Sequence, residues 1–150
     1  MVVLGARKDD ILKVIRNYPV THCYNKNYEQ GMLSSVKCGF KSLPAGYDAA
    51  MIFLGDQPMI SPEVTNEVIN AYRSSKKGIV MPVFNNKRGH PLLIDSKYRD
   101  QIEKLDTKES LRFIAQKFPG DVLEVETKAP DILKDIDTQE DYINETNQNR

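Results

Sequence analysis

Three carboxylates in two short segments have the chemistry to hold a hard divalent cation: Asp56 in one, Asp135 and Asp137 in the other. Asp56 stands in the tetrapeptide Gly55-Asp56-Gln57-Pro58, directly after the apolar run of residues 49–54. A run of that length without alternation reads as a strand buried on both faces, as at the centre of a parallel sheet. Gly55 allows a sharp turn, and Pro58 cannot continue a ladder. The carboxylate then sits at the carboxyl end of a strand, where open α/β sheets bind ligands. Asp135 and Asp137 lie two apart in an extended acidic segment, residues 131–137, and so point to one side of it. Were the two segments to meet at one sheet edge, they would suit Mg²⁺, which keeps several waters and takes one or two carboxylates plus substrate phosphates. Plainer roles compete. Asp56 could cap its own turn, and Asp135 and Asp137 could be a solvated approach to a helix capped by Thr138.

Two further groups are candidates. Asn25 precedes Gly31-Met32-Leu33-Ser34-Ser35, a glycine approach to a helix start with two hydroxyls, which could receive an anion or a ribose. Many ordinary helices begin the same way. In Arg88-Gly89-His90-Pro91, glycine permits close backbone approach and histidine can donate to an oxyanion near neutral pH. A lone loop histidine is more often structural, and His22, on a strand, reads as structural. Neither GxGxxG nor GxxxxGKS/T occurs, and no Ser/His/Asp or Cys/His arrangement suggests a protein nucleophile.

The elements that must position these groups alternate between strands and helices. Strands are expected at residues 1–4, 20–24, 49–54, 79–81, 90–94 and 121–125. Helices are expected at 7–18, 31–43, 62–75, 96–105, 106–118 and 138–145. Ile11, Leu12, Val14 and Ile15 mark one side of the first helix, and Met32, Val36, Phe40 and Leu43 one face of the second. The third has Ser61 as N-cap, Pro62 at its first position and Glu63 in its first turn, with Val64, Val68, Ile69 and Tyr72 at helical spacing. A capping box, Asp106-Thr107-Lys108-Glu109, opens the fifth. Residues 82–89 read as a polar loop. Such alternation means an α/β fold around a mostly parallel sheet. Residues 1–145 are expected to form a single domain and 146–150 a polar tail.

Composition narrows the function classes. With 150 residues and 40% apolar content, one domain with a core is possible. Lys plus Arg and Asp plus Glu number 21 each, so no basic excess points to nucleic acid. No run approaches the roughly 20 apolar residues of a membrane span, and residues 1–10 lack the apolar core of a signal peptide. Cys23 and Cys38 have no metal-ligand spacing and read as buried thiols of a cytoplasmic protein.

Taken in order, V-V-L-G, V-x-x-x-x-N, E-x-G-M-x-S-S, F-L-G-D-Q-P, R-G-H-P and D-I-D-T-x-E-D-Y resemble the molybdenum cofactor cytidylyltransferase type of nucleotidyltransferase. The resemblance runs from Val2 to about Tyr142. It implies the Rossmann-like nucleotidyltransferase three-layer sandwich. It also implies transfer of a nucleoside monophosphate, CMP foremost, from an NTP to molybdopterin with release of pyrophosphate. Asp56 and Asp137 would be the catalytic residues and would hold Mg²⁺, with Asp135 as a further metal candidate. Asn25, Gly31, Met32 and Ser35, with Gly55 and Asp56, would line the nucleotide site. Pro82, Gly89, His90 and Pro91 would face the pterin. CTP, molybdopterin and a molybdenum hydroxylase are the implied partners. The family's opening strand and its L-A-A-G-x-S-x-R-M-G phosphate loop have no counterpart in this sequence. The expectation is an N-terminally truncated domain lacking about 40 residues, one βαβ unit, with an exposed apolar edge and activity dependent on the missing loop. The alternative is a non-catalytic pterin- or partner-binding module serving molybdenum enzyme maturation.

Overall fold

The computed structural model describes residues 1–106 and 108–148. They divide into two compact units, Met1–Asp48 with Ser96–Pro119, and Ala49–Asp95 with Gly120–Arg150.

In the first unit, β1 (Val2–Leu4) pairs in parallel with β2 (His22–Tyr24), Val3 opposite Cys23. Between them runs α1 (Lys8–Ile15), shorter than its apolar spacing suggests. None of its residues is buried, and Val14 is 69% exposed. The apolar stripe makes the helix but does not seat it in a core. α2 (Met32–Ser42) buries Phe40 as expected and has Val36 and Leu43 half-buried on the same face, but Met32 is exposed and Leu33 is buried in its place. α4 (Arg99–Lys104) and α5 (Arg112–Lys117) contribute Ile102, Leu105, Leu111 and Ile114 to the buried set.

The expected capping box closes only a turn. Glu109 Oε2 accepts from the Asp106 N–H at 2.6 Å, yet α5 begins three residues later, at Arg112. Thr107, the middle of that box, lies outside the described residues. Cys23 and Cys38 are half-buried rather than buried, with their sulfurs 3.6 Å apart. Burial, then the Cys23 neighbour, pushes the Cys38 thiol up.

The second unit is organised around β4 (Ile79–Phe84). β7 (Val122–Glu126) runs parallel to it from Ile79 to Val83. β6 (Leu92–Asp95) is antiparallel to it at Ile79 and Val80, and β5 (Lys87–Arg88) at Val83 and Phe84. β3 (Ala49–Ile52) pairs antiparallel with β6. β3, β4 and β7 thus share one direction, with β6 reversed between β3 and β4. α3 (Pro62–Ser74) lays Val68 on Val80 and Leu93, with Ile69, Tyr72, Leu123 and Val125 around them. Its start is as the sequence indicates: Ser61 Oγ accepts from the Val64 N–H at 3.4 Å, and Pro62 follows.

Two expectations are corrected here. The run 49–54 is not a central strand buried on both faces. β3 ends at Ile52, is half-buried, and lies at the end of the sheet order, and Phe53 is exposed. Residues 82–89 are not a loop. β4 continues through buried Pro82 and Val83 and turns at Asn85-Asn86, both at positive φ (50° and 61°), into β5. A two-residue turn of that hand matches strand twist, and asparagine tolerates it. Pro82 is accommodated because it falls in the gap between the β6 and β5 pairings, where a break in the ladder is already present. The last helix, α6 (Gln139–Gln148), also takes in 146–148 of the expected tail; residues 149–150 lie outside the described residues. No helix among the described residues is long and apolar enough to cross a membrane.

Candidate active site

The acidic groups fall in the second unit. After β3 the chain turns at Gly55-Asp56-Gln57-Pro58, leaving Asp56 exposed. After β7 it makes a single 3-10 turn, Pro130–Leu133, and then extends through residues 134–138. The two stretches are spliced. The Ile136 N–H donates to the Asp56 carbonyl at 2.8 Å, and Gln57 Nε2 donates to Asp135 Oδ1 at 2.6 Å. The juxtaposition expected of Asp56 and the 135–137 segment is therefore formed, by backbone and side chain together. Asp56, Asp135 and Asp137 are all exposed.

Among the described residues no three of His, Cys, Asp or Glu gather into a metal-binding group. Asp135 directs an oxygen at Gln57 instead. The donor set suits Mg²⁺ all the same, because that ion takes one or two carboxylates and brings water and phosphate ligands itself. Asp56 and Asp137 stand one on each side of the splice, both exposed.

The segment is held from behind. Lys134 Nζ pairs with the buried Glu145 carboxylate on α6. Thr138 and Asp141 cap the same helix reciprocally: Asp141 Oδ2 accepts from the Thr138 N–H at 2.8 Å and its hydroxyl at 2.7 Å. Those two bonds hold the Asp141 carboxyl below the usual carboxylate range.

Ile132, fully buried, meets the Arg88-Gly89-His90-Pro91 stretch. The His90 N–H donates to the Ile132 carbonyl at 3.3 Å, and the Gly89 N–H to the Pro82 carbonyl at 2.9 Å. A Cβ on Gly89 would lie 2.4 Å from the Ile132 carbonyl oxygen, so glycine is required by close packing. Pro82 and Pro91 are fully buried packing residues, while Gly89 and His90 are half-buried. Of the four residues expected to face a pterin, only the latter two retain surface.

The Asn25 group falls in the first unit. Asn25 is 5% exposed and follows β2. Its Nδ2 donates to Ser34 Oγ at 2.7 Å and Ser35 Oγ at 3.0 Å, and its Oδ1 accepts from the Asn27 N–H at 3.0 Å. The Ser34 hydroxyl reaches the Asn27 and Gly31 carbonyls at 2.9 and 2.8 Å. Gly31, at φ 94°, supplies the backbone turn that opens α2. The sequence thus grouped Asn25, Gly31 and Ser35 correctly, but the Asn25 amide is committed to protein partners and shapes the loop. Met32 is exposed.

Gln57 is the residue that sequence reasoning passed over. It is 7% exposed, and its Oε1 is buried without a partner among the described residues. An unmet buried acceptor costs about 1–3 kcal/mol. The only signal in the sequence was a long amide in a turn position where aspartate, asparagine or serine usually serve.

Residues 1–122 match the family model of the MobA-like NTP transferase domain. The chain is 25% identical over 144 residues to the molybdenum cofactor cytidylyltransferase of Escherichia coli K12, covering 95% of this chain and 71% of that protein. A solved mycobacterial homologue of Rv0371c, from strain JC1, superposes with a TM-score of 0.78 at 20% identity, over 98% of this chain and 73% of that one. Rv0371c of Mycobacterium tuberculosis, solved in complex with manganese, superposes with a TM-score of 0.70 at 16% identity, over 95% and 73% of the two chains. The fold is accordingly the Rossmann-like α/β fold of nucleotidyltransferases.

Proposed function

The chain belongs to the MobA-like NTP transferase family, enzymes that transfer nucleotidyl groups, and from that premise we propose that it moves CMP from CTP to the phosphate of molybdopterin, releasing pyrophosphate. The observation that carries the reading is the splice of Asp56 to Ile136, which brings the GDQP and DIDT segments to one place. The relative whose name specifies cytidylyl transfer to the molybdenum cofactor supports the choice of substrates. A molybdenum hydroxylase would be the recipient. The two unbridged thiols suit the reducing cytoplasm in which NTPs are held.

Asp56 and Asp137 would hold Mg²⁺, and a bound Mg²⁺ supplies charge neutralisation on the phosphates undergoing exchange. The protein's own part is positioning. Gly31 and the Asn25–Ser34–Ser35 bonds fix the backbone that opens α2, whose first N–H groups suit a phosphate or ribose oxygen. Met32 is exposed in the first turn of that helix, and in the second unit Gly55 stands beside Asp56. Gly89 and His90 contact the pterin, with Pro82 and Pro91 packed beneath. No protein nucleophile is needed, since the acceptor phosphate attacks directly.

The test is calorimetric titration of the full chain with CTP, GTP and ATP, with and without Mg²⁺, followed by pyrophosphate release on adding molybdopterin. The expected result is Mg²⁺-dependent binding that favours CTP, then pyrophosphate release. Pterin binding without pyrophosphate release would mark a binding module instead. Metal-independent nucleotide binding would overturn the assignment of Asp56 and Asp137.

A further inference from the structure

Resting on that reading of Asp56 and Asp137, we infer that Gln57 is a positioning residue anchored on Asp135, and that this anchorage withholds Asp135 from the metal. Gln57 is 7% exposed although it stands between exposed Asp56 and exposed Pro58. Its Nε2 donates to Asp135 Oδ1 at 2.6 Å, a short bond to a charged acceptor. One residue on, the Ile136 N–H donates to the Asp56 carbonyl at 2.8 Å. Two bonds at consecutive residues of each segment, 56–57 and 135–136, fix both spacing and rotation, which a single bond cannot do. The backbone bond alone would leave the turn free to pivot about it.

The burial of Gln57 supports the same conclusion. Its Oε1 is buried with no partner among the described residues, a penalty that an apolar side chain of similar size would avoid. The amide is therefore retained for its donor end, and that end holds a carboxylate. Asp135 consequently has one oxygen committed within the protein. Asp137, the next acidic residue past the splice, remains exposed, as does Asp56. Three acidic residues thus divide into one anchor and two ligands, which explains why they do not gather as a three-carboxylate cage.

The experiment uses the full chain, CTP and Mn²⁺, with bound Mn²⁺ read by electron paramagnetic resonance and melting temperature read in parallel. Asp135→Asn keeps an oxygen for Gln57 and removes the charge. Its half-saturating Mn²⁺ concentration should stay well under the roughly tenfold rise that loss of a metal-shell partner causes. Gln57→Glu sets two carboxylates face to face and should raise that concentration roughly 10–100-fold. The double variant Gln57→Glu/Asp135→Asn restores one donor–acceptor bond with the roles exchanged and should return it toward the parent value. A merely structural Gln57 would shift melting temperature and leave Mn²⁺ half-saturation alone, which would overturn the proposal. So would a rise of tenfold or more from Asp135→Asn, or a double variant no better than Gln57→Glu. If Gln57→Glu does not fold, Asp135→Asn still decides. Failure of the underlying metal reading shows separately, as Asp56→Asn binding Mn²⁺ like the parent.

Discussion

Around Asn25, both ends of the side-chain amide are committed to neighbours: two serine hydroxyls accept from it and a backbone N–H donates to it. At the Asp56 splice, backbone atoms and the neighbouring Gln57 do the holding, and the Asp56 and Asp137 carboxylates remain exposed. Both regions are short polar stretches at the end of a strand, and in the sequence both read as ligand sites. The difference is one of hydrogen-bond satisfaction. A buried polar group whose donors and acceptors are met within the chain shapes structure. An exposed carboxylate on a rigid, doubly held turn has its lone pairs free for a cation or substrate.

The contrast can be tested from either side. The largest effect is expected at Asp56. Asp56→Asn should lower nucleotidyl transfer by at least about 100-fold, as removal of a preorganised electrostatic group does, with the melting temperature within about 2 °C of the parent. A fall in both together would make Asp56 a structural cap. Asn25→Ala should behave inversely. Loss of a buried, fully bonded amide should cost about 2–3 kcal/mol, read as a melting temperature lower by roughly 4–12 °C. If instead nucleotide binding disappears at unchanged melting temperature, Asn25 is a ligand and the contrast collapses.

Gly89→Ala sharpens the comparison within the second unit. The new Cβ would meet the Ile132 carbonyl oxygen, and relief by backbone shift should cost about 1–3 kcal/mol in urea unfolding. The smallest effect belongs to Asp141. Its carboxyl is held low by the Thr138 hydroxyl and N–H. The stability it adds is therefore complete above the ordinary carboxylate pKa and is lost as pH falls through its own lowered value. The melting-temperature gap between parent and Asp141→Asn should be full at pH 7 and close progressively in acid. A gap that persists at low pH would place the effect elsewhere than in the ionised cap.

Local rules made much of this legible. The start of α3 was readable because Ser61, Pro62 and Glu63 each act within one helical turn. The α6 cap was readable for the same reason. Where the rule was local but its outcome was not, reading failed. The Asp106–Glu109 bond forms, yet no helix follows until Arg112. The stripe on α1 is present, but nothing in its own sequence says whether a core will cover it. Residues 82–89 read as a loop because the gap that admits Pro82 into β4 is created by β5 and β6, which come later in the chain.

The sequence by itself determined which residue types stand at the ends of which elements: a carboxylate after a strand, an amide before a glycine-led helix, glycine and histidine after a turn. Its ordered motifs also sufficed to name the family. Tertiary structure decided which of those groups are committed and which are free. Asn25 finds its acceptors nine and ten positions away, and Gln57 its anchor 78 positions away. The strength of a hydrogen bond depends on partner, distance and burial, and those are set only when distant segments are brought together.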